Sequence, residues 1–188
     1  RDPEMSRGLG DVYKRQLPES LGVEVIAQEQ YMTESDRESF LRAFEEKDNV
    51  LALCIMGGIF SEGIDLTGDR LIGAIIVGPG LPQVCTERKL MMDYFDSRTA
   101  ADEKEAASDR NGFRYAYQYP GINKVFQAAG RVIRTETDQG IILLIDERFA
   151  TRRYTELFPV EWNDSVICNM QNVDGILEQF WDYKSKEI

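Results

Sequence analysis

Three short runs in this chain, Val50 to Met56 (VLALCIM), Leu71 to Val77 (LIGAIIV) and Ile141 to Ile145 (IILLI), are solidly apolar instead of alternating with polar residues. A strand with one wet face alternates, whereas a strand covered on both faces does not. Such runs, separated by stretches of helical spacing, predict parallel strands joined by crossover helices. Gly22 to Gln28 (GVEVIAQ) predicts a further buried strand. Ser35-Asp36-Arg37-Glu38 reads as a capping box opening a helix over Ser35 to Lys47. Phe40, Leu41, Ala43 and Phe44 lie at helical spacing within it, and Glu38 and Arg42 form an i,i+4 pair. The expected class is α/β, a mainly parallel sheet with flanking helices.

About sixty residues between the second and third apolar strands are mostly helical in pattern. Thr86 to Phe95 is one candidate helix, and Thr99 to Asp109, charged and rich in alanine, reads as an exposed helix or insertion. The tail Asn172 to Lys186 carries Val173, Ile176, Leu177, Phe180 and Trp181 on one stripe and predicts an amphipathic helix. Phe113, Tyr115, Tyr117 and Tyr119 alternate along the chain. They resemble stacking platforms for bases, but only Arg110 and Arg114 interleave nearby, so a packing role is expected. Trp162 and Trp181 are assigned to packing as well.

Composition removes several kinds of chemistry. There is no histidine, which excludes a Ser-His-Asp triad, a Cys-His pair, His-ligated zinc and a His general base within these residues. The net charge of −11 argues against an autonomous basic nucleic-acid clamp, though not against a few residues touching one strand. Cys54, Cys85 and Cys168 are 31 and 83 residues apart, a spacing that fits no paired-ligand motif; reduced, mostly buried thiols in a cytoplasmic protein are expected, with no metal site. No apolar run approaches the ~20 residues that span a bilayer. The 188 residues suit one domain with an additional helical layer.

Residues Arg1 to Gln16 (RDPEMSRGLGDVYKRQ) have neither an apolar core nor an amphipathic period, so they are not read as a signal peptide. The run Asp11 to Gln16 (DVYKRQ) resembles the translation of a transposase adapter used in sequencing libraries. The expected organisation is therefore an adapter-derived segment over 1–16, the α/β domain over 17–160, incomplete at its N-terminus, and a C-terminal helical tail over 161–188.

Two constellations carry chemistry. The segment Gly57 to Asp65 (GGIFSEGID) follows directly on the strand Val50 to Met56. Glycines at the carboxyl end of a strand let backbone N–H groups approach a ligand, and ligands bind open α/β sheets at this edge; an ordinary turn has the same composition. The second constellation is Gln127 to Arg134 (QAAGRVIR), closing a predicted helix that begins near Pro120-Gly121. At helical spacing Ile122, Val125, Phe126, Ala129 and Ile133 share one face, while Gln127, Gly130, Arg131 and Arg134 gather on another. Two guanidiniums with a glycine between them suit a polyphosphate, whose oxygens they bind bidentately.

These residues carry a resemblance. GGxxSEGID followed by QxxGRxxR resembles motifs V and VI of superfamily 2 helicases. The fuller order, Ser61–Asp65, Asp69–Val77, Gly80–Pro82, Gln127–Arg134 and Asp146–Phe149, is similar to the DinG and XPD family. The match covers roughly Val23 to Phe158 and implies the second RecA-like motor domain of an ATP-dependent DNA helicase acting on single-stranded DNA. It implies Arg134 as an arginine finger, Arg131 as a second γ-phosphate contact, and Gln127 at the phosphate or the attacking water. Gly63, Asp65 and Gly130 fall on the nucleotide side, and Ser61 and Glu62 on the side that couples to DNA.

Departures are as informative. No G-x-x-x-x-G-K-[ST] loop and no D-E-A-H occur, so ATP and Mg²⁺ are expected to be bound mainly by a first motor domain outside this sequence. The family's strand bearing motif IV is cut away at the adapter junction, and its four-cysteine iron–sulfur insertion is not reproduced by the three cysteines. Ile141 to Glu147 imitates a Walker B strand but follows motif VI, so it is read as structural. The expected parent is a cytoplasmic bacterial helicase working in repair or replication-linked unwinding. The rival reading is a noncatalytic partner-binding or nucleic-acid-binding module that keeps the fold.

Overall fold

The computed structural model describes residues 22–29, 31–62, 70–99 and 111–184. They belong to two compact units, divided after Asp146.

In the first unit, β1 (Glu24–Ala27) and β2 (Val50–Leu53) pair in parallel with Glu24 opposite Val50 and Ala27 opposite Leu53. The crossover between them is helix α1 (Glu34–Glu46). Its cap is Thr33 and not Ser35: the Thr33 hydroxyl accepts the Asp36 N–H at 3.2 Å, and the Asp36 carboxylate accepts the Thr33 N–H at 2.8 Å. Thr33 and Asp36 stand three residues apart, as the reciprocal box requires, and acid in the first turn faces the positive end of the helix dipole. The Thr33 hydroxyl, then its N–H, hold the Asp36 carboxyl below the usual range. The Glu38–Arg42 pair is present at 4.0 Å on an exposed face, where such pairs contribute little.

Helix α1 buries Phe40 and Ala43. Phe40 stacks on Phe60 with ring centroids 4.1 Å apart, and Ile26, Met32, Leu41, Phe44, Ala52 and Leu71 close around the pair. Phe60 belongs to the short helix α2 (Ile59–Glu62), so the segment after β2 is anchored by an aromatic plug in the core.

Beyond it, β3 (Gly73–Val77) pairs in parallel with β4 (Ile141–Ile145), Gly73 opposite Ile141 and Val77 opposite Ile145. The expected parallel α/β class is thus present. Among the described residues it takes the form of two hydrogen-bonded pairs rather than one continuous sheet. The expectation that the strands are covered on both faces needs correction for β3: Ile76 is 4% exposed, but Ile75 and Val77 on the other face are 60% and 70% exposed. The helix Tyr119–Ala129 contacts β3, and no described helix seals Ile75 and Val77 from solvent.

Helix α3 (Thr86–Thr99) packs against a helical run made of α4 (Asn111–Phe113), a π-helical turn (Arg114–Gln118) and α5 (Tyr119–Ala129). Helical backbone therefore starts well before the expected Pro120-Gly121. Pro120 has no N–H to offer the Ala116 carbonyl four residues earlier, which would leave an orphan acceptor in an ordinary helix. Arg88 Nη1 donates to that carbonyl at 2.7 Å, and the wider π turn accommodates the proline. The alternating aromatics are used for packing: Tyr115 stacks on Phe95 at 4.2 Å, Phe113 on Tyr117 at 5.5 Å, and Tyr119 meets Tyr115 edge-on at 5.3 Å. The predicted segment Thr99 to Asp109 lies, beyond Thr99, outside the described residues.

The second unit holds a 3₁₀ turn (Glu147–Ala150), α6 (Arg152–Thr155), a second 3₁₀ turn (Val160–Trp162) and α7 (Val173–Lys184). Phe149 and Tyr154 are buried and meet edge-on, as do Phe158 and Trp162. On α7 four of the five predicted stripe residues, Val173, Ile176, Leu177 and Phe180, are half-buried, whereas Trp181, expected to pack, is exposed at 37% and meets Phe180 edge-on.

The cysteines depart from expectation. Cys54 and Cys85 are exposed and Cys168 is half-buried, all three as free thiols. Desolvation of the Cys54 sulfur nonetheless pushes its thiol up to about 11, so it is not a thiolate nucleophile at neutral pH. No described helix is long and apolar enough to cross a membrane.

The Phe40–Phe60 stack generates a stability prediction. Phe60→Ala removes a ring that is 5% exposed, and the expected loss is about 3–5 kcal/mol. Urea unfolding followed by far-ultraviolet circular dichroism measures it; a loss below about 1 kcal/mol would mean that α2 is not anchored by this ring.

Candidate functional site

The site assembles where two loops leaving parallel strands meet helix α5. The loop after β2 begins with Gln28, from the end of β1, accepting the Ile55 N–H at 3.1 Å, and with the Gly58 N–H donating to the Ile55 carbonyl at 2.8 Å. The loop after β3 turns through Gly78 and Gly80, both at positive φ, and lies directly on α5. A Cβ added to Gly121 would stand 2.6 Å from the Pro79 carbonyl oxygen, so only glycine allows loop and helix this close. A Cβ at Gly80 would meet Met56 Sδ at 2.7 Å, which brings the two post-strand loops into contact with each other. The Lys124 side chain runs beside Gly57. Helix α2 also contacts α5, so the segments bearing the two predicted motifs are neighbours in space.

Helix α5 seals one edge: Ile122, Val125 and Ala129 are 2%, 0% and 3% exposed. Gln127 is exposed on the opposite side. The predicted shared helical face for Gly130, Arg131 and Arg134 is corrected by the structure, because α5 ends at Ala129. The Gly130 N–H donates to Phe126 at 2.8 Å, then the Arg131 and Val132 N–H groups reach back only three residues, to Ala128 and Ala129, so the chain tightens and leaves the helix. This turn rotates Ile133 out to 46% exposure and puts Val132, at 4%, in the apolar place expected for Ile133. Arg131 and Arg134 are half-buried, and Gly130 is exposed.

Past the turn the chain is non-helical, and a carboxylate that sequence reasoning passed over secures it. Asp138 Oδ2 accepts the N–H groups of Arg134 at 2.8 Å and Thr135 at 2.9 Å. The Arg134 N–H, then the Thr135 N–H and hydroxyl, hold the Asp138 carboxyl below its usual range, with the Arg134 charge adding to them. The Thr135-x-x-Asp138-x-Gly140 pattern was the available signal, since Asp and Thr close turns on nearby backbone N–H groups. Gly140 then passes beneath Val132, where a Cβ would stand 2.3 Å from Val132 Cγ1, and the chain enters β4.

Of the other predicted residues, Ser61 and Glu62 lie on α2 with their side chains undescribed, and Gly63 and Asp65 lie outside the described residues. Among the described residues no group of acidic or cysteine side chains is arranged to hold a metal ion.

Comparison with known proteins gives a consistent assignment. A family model described as "Helicase C-terminal domain" matches residues 7–165. The chain is 30% identical over 162 residues to a regulator of telomere elongation helicase 1 homolog of Caenorhabditis briggsae, covering 85% of this chain and 16% of that protein. It is 34% identical over 99 residues to the ATP-dependent DNA helicase DinG of Photobacterium profundum, covering 52% of this chain and 13% of that one. An XPD helicase structure superposes with a TM-score of 0.57 over 79% of this chain and 25% of the other, at 19% identity, a likeness of fold. The chain thus spans less than a fifth of the length of these curated relatives.

The Asp138 clamp predicts a pH dependence. A carboxyl with a lowered folded-state pKa stabilises its loop above the unfolded value, about 3.9, and that contribution disappears as pH falls through the lower folded value. Amide exchange at Arg134 and Thr135, corrected for intrinsic rate, should stay protected from pH 8 to 5 and lose protection only below the ordinary aspartate range. Loss between pH 7 and 6 would rule out Asp138 as the acceptor.

Proposed function

This chain belongs to the helicase C-terminal domain family, in its DinG/XPD-like branch, and on that footing we propose that it is the second motor domain of an ATP-dependent DNA helicase. The parent protein hydrolyses ATP in the cleft between two motor domains and moves along single-stranded DNA in the cytoplasm. The observation that carries this reading is the end of α5, where Gln127, Gly130, Arg131 and Arg134 follow one another through a turn fixed by backbone hydrogen bonds.

The chemistry of that donor set suits the substrate. As the bond to the leaving phosphate oxygen breaks, negative charge spreads over the transferring phosphoryl and the leaving oxygen, and a planar guanidinium can meet two oxygens at once. Arg134 supplies that contact as the arginine finger, Arg131 binds the γ-phosphate, and the exposed Gln127 orients the phosphate or the attacking water. Gly130 leaves room for the phosphates at the bend. The first motor domain supplies the phosphate-cradling loop and the ligands for Mg²⁺, which screens phosphate charge when bound; the absence of a P-loop from these 188 residues supports that division. Gly63 and Asp65 face the nucleotide in this reading, while Ser61 and Glu62 couple it to the DNA strand. The contact between α2 and α5 supports such coupling, since a shift at the phosphates can reach the DNA-facing segment through one packed junction.

Two outcomes test the reading. The 188-residue chain by itself should show no DNA-stimulated ATPase, because the guanidiniums have no held triphosphate to act on. Robust turnover by the chain alone, abolished by Arg134→Ala, would refute the two-domain arrangement. In the full-length protein Arg134→Ala should lower kcat by about 10³-fold or more while DNA affinity stays within about threefold, as removal of a transition-state contact requires. Arg134→Lys should recover little, since a point charge lacks the planar fork.

A further inference from the structure

Arg134 is not positioned by the helix that carries the rest of its motif. Helix α5 ends at Ala129, and four residues of turn and extended chain separate Arg134 from it. A long side chain on such a segment inherits its direction from the backbone beneath it, so whatever fixes that backbone fixes where the guanidinium can reach. The segment from Gly130 to Gly140 is pinned at both ends. Val132 is buried at its start, and at its end Gly140 lies under Val132 while the Ile141 N–H donates to Ile72 at 3.0 Å. Between these anchors Arg134 sits in the middle of the span, where the Asp138 carboxylate accepts its N–H.

We propose that Asp138 is the positioning residue for Arg134, its carboxylate gathering the Arg134 and Thr135 N–H groups so that the guanidinium is presented in one direction before nucleotide arrives. The inference rests on the reading of Arg134 as the arginine finger. Three features make the clamp specific. One oxygen serves both N–H groups, at 2.8 and 2.9 Å, so the two peptide planes are set relative to each other. The Asp138 N–H returns to the Thr135 carbonyl at 3.3 Å, and the Thr135 and Thr137 hydroxyls bond at 3.0 Å, closing the turn on itself. The carboxylate lies on the same short turn as the Arg134 cation, whose charge attracts it. Without the clamp the backbone beneath Arg134 samples more than one arrangement, and the transition state must select one of them. Misplacement of about 1 Å at a reacting group can cost on the order of 10²-fold in rate.

The test is steady-state ATPase of the full-length helicase with saturating single-stranded DNA, comparing Arg134→Ala, Asp138→Ala, Asp138→Asn, Asp138→Glu and the double variant Arg134→Ala/Asp138→Ala. Asp138→Ala should lower kcat by about 10- to 100-fold with KM for ATP changed less than about threefold, because ground-state binding rests on the other motor domain. Asp138→Asn, which keeps an acceptor oxygen at the same reach, should restore most of the turnover. The double variant should be no slower than Arg134→Ala, since a positioning residue has nothing left to position. Wild-type kcat in Asp138→Ala, or losses that multiply in the double variant, would overturn the inference while leaving Arg134 as the finger. Full turnover in Arg134→Ala would instead overturn the reading beneath it. Should Asp138→Ala not fold, Asp138→Glu decides: it keeps the charge but displaces the oxygens, so a roughly tenfold fall in kcat with unchanged KM supports the clamp, and wild-type kcat refutes it.

Discussion

The sealed edge of helix α5 is the constraint from which the site follows. Ile122, Val125 and Ala129 recur at three- and four-residue intervals and are almost fully removed from water, so the helix can take only one rotation about its axis. Its opposite side, with Gln127, is then exposed by necessity. Burial of Val132 carries the same apolar edge past the helix end. The functional residues are thus placed by the apolar ones, and a change in the buried edge would rotate or shift the turn that follows it.

The loops gathered around this helix work through proximity of backbone. Gly121 admits the Pro79 carbonyl, and Gly80 admits Met56, so two post-strand loops and one helix meet with little side chain between them. Close-packed backbone of this kind transmits displacement well, because no flexible side chain absorbs it. The Phe40–Phe60 stack performs a related task for the segment after β2, tying it to the middle of the core. The carboxyl ends of parallel strands are where open α/β sheets bind ligands, and here both described pairs bring their loops into that region.

Not every apolar surface is closed by the described residues. Ile75, Val77 and Ile145 leave one side of the β3–β4 pair accessible, and Val84, Leu90 and Tyr94 are exposed on and before α3. An apolar face of this kind on a parallel pair differs from a finished α/β sheet, which is covered on both sides. The solid apolar spelling of the strands matches the finished sheet more closely than it matches these pairs.

Much was legible in the sequence. Solid apolar runs announced parallel strands, and Ile141 to Ile145 forms the strand its spelling predicts because five β-branched or leucine residues have no competing helical period. The α7 stripe was legible for the same reason, through a period that its own residues satisfy. The motif residues Gln127, Gly130, Arg131 and Arg134 were legible because residue type and spacing alone define their pattern. Tertiary structure decided the rest. The α1 cap fell on Thr33 instead of Ser35, a choice between capping residues two positions apart that reciprocal bonding with Asp36 resolved. The turn at Gly130 broke the helical face assumed for Arg134, since the Arg131 and Val132 N–H groups bond only three residues back and the chain leaves the helix there. The role of Asp138 depends on a carboxylate folding back four residues onto a backbone that is no longer helical. A periodicity argument can place side chains only while the period lasts. Once the helix ends, hydrogen bonds and contacts in three dimensions fix where the next residue points.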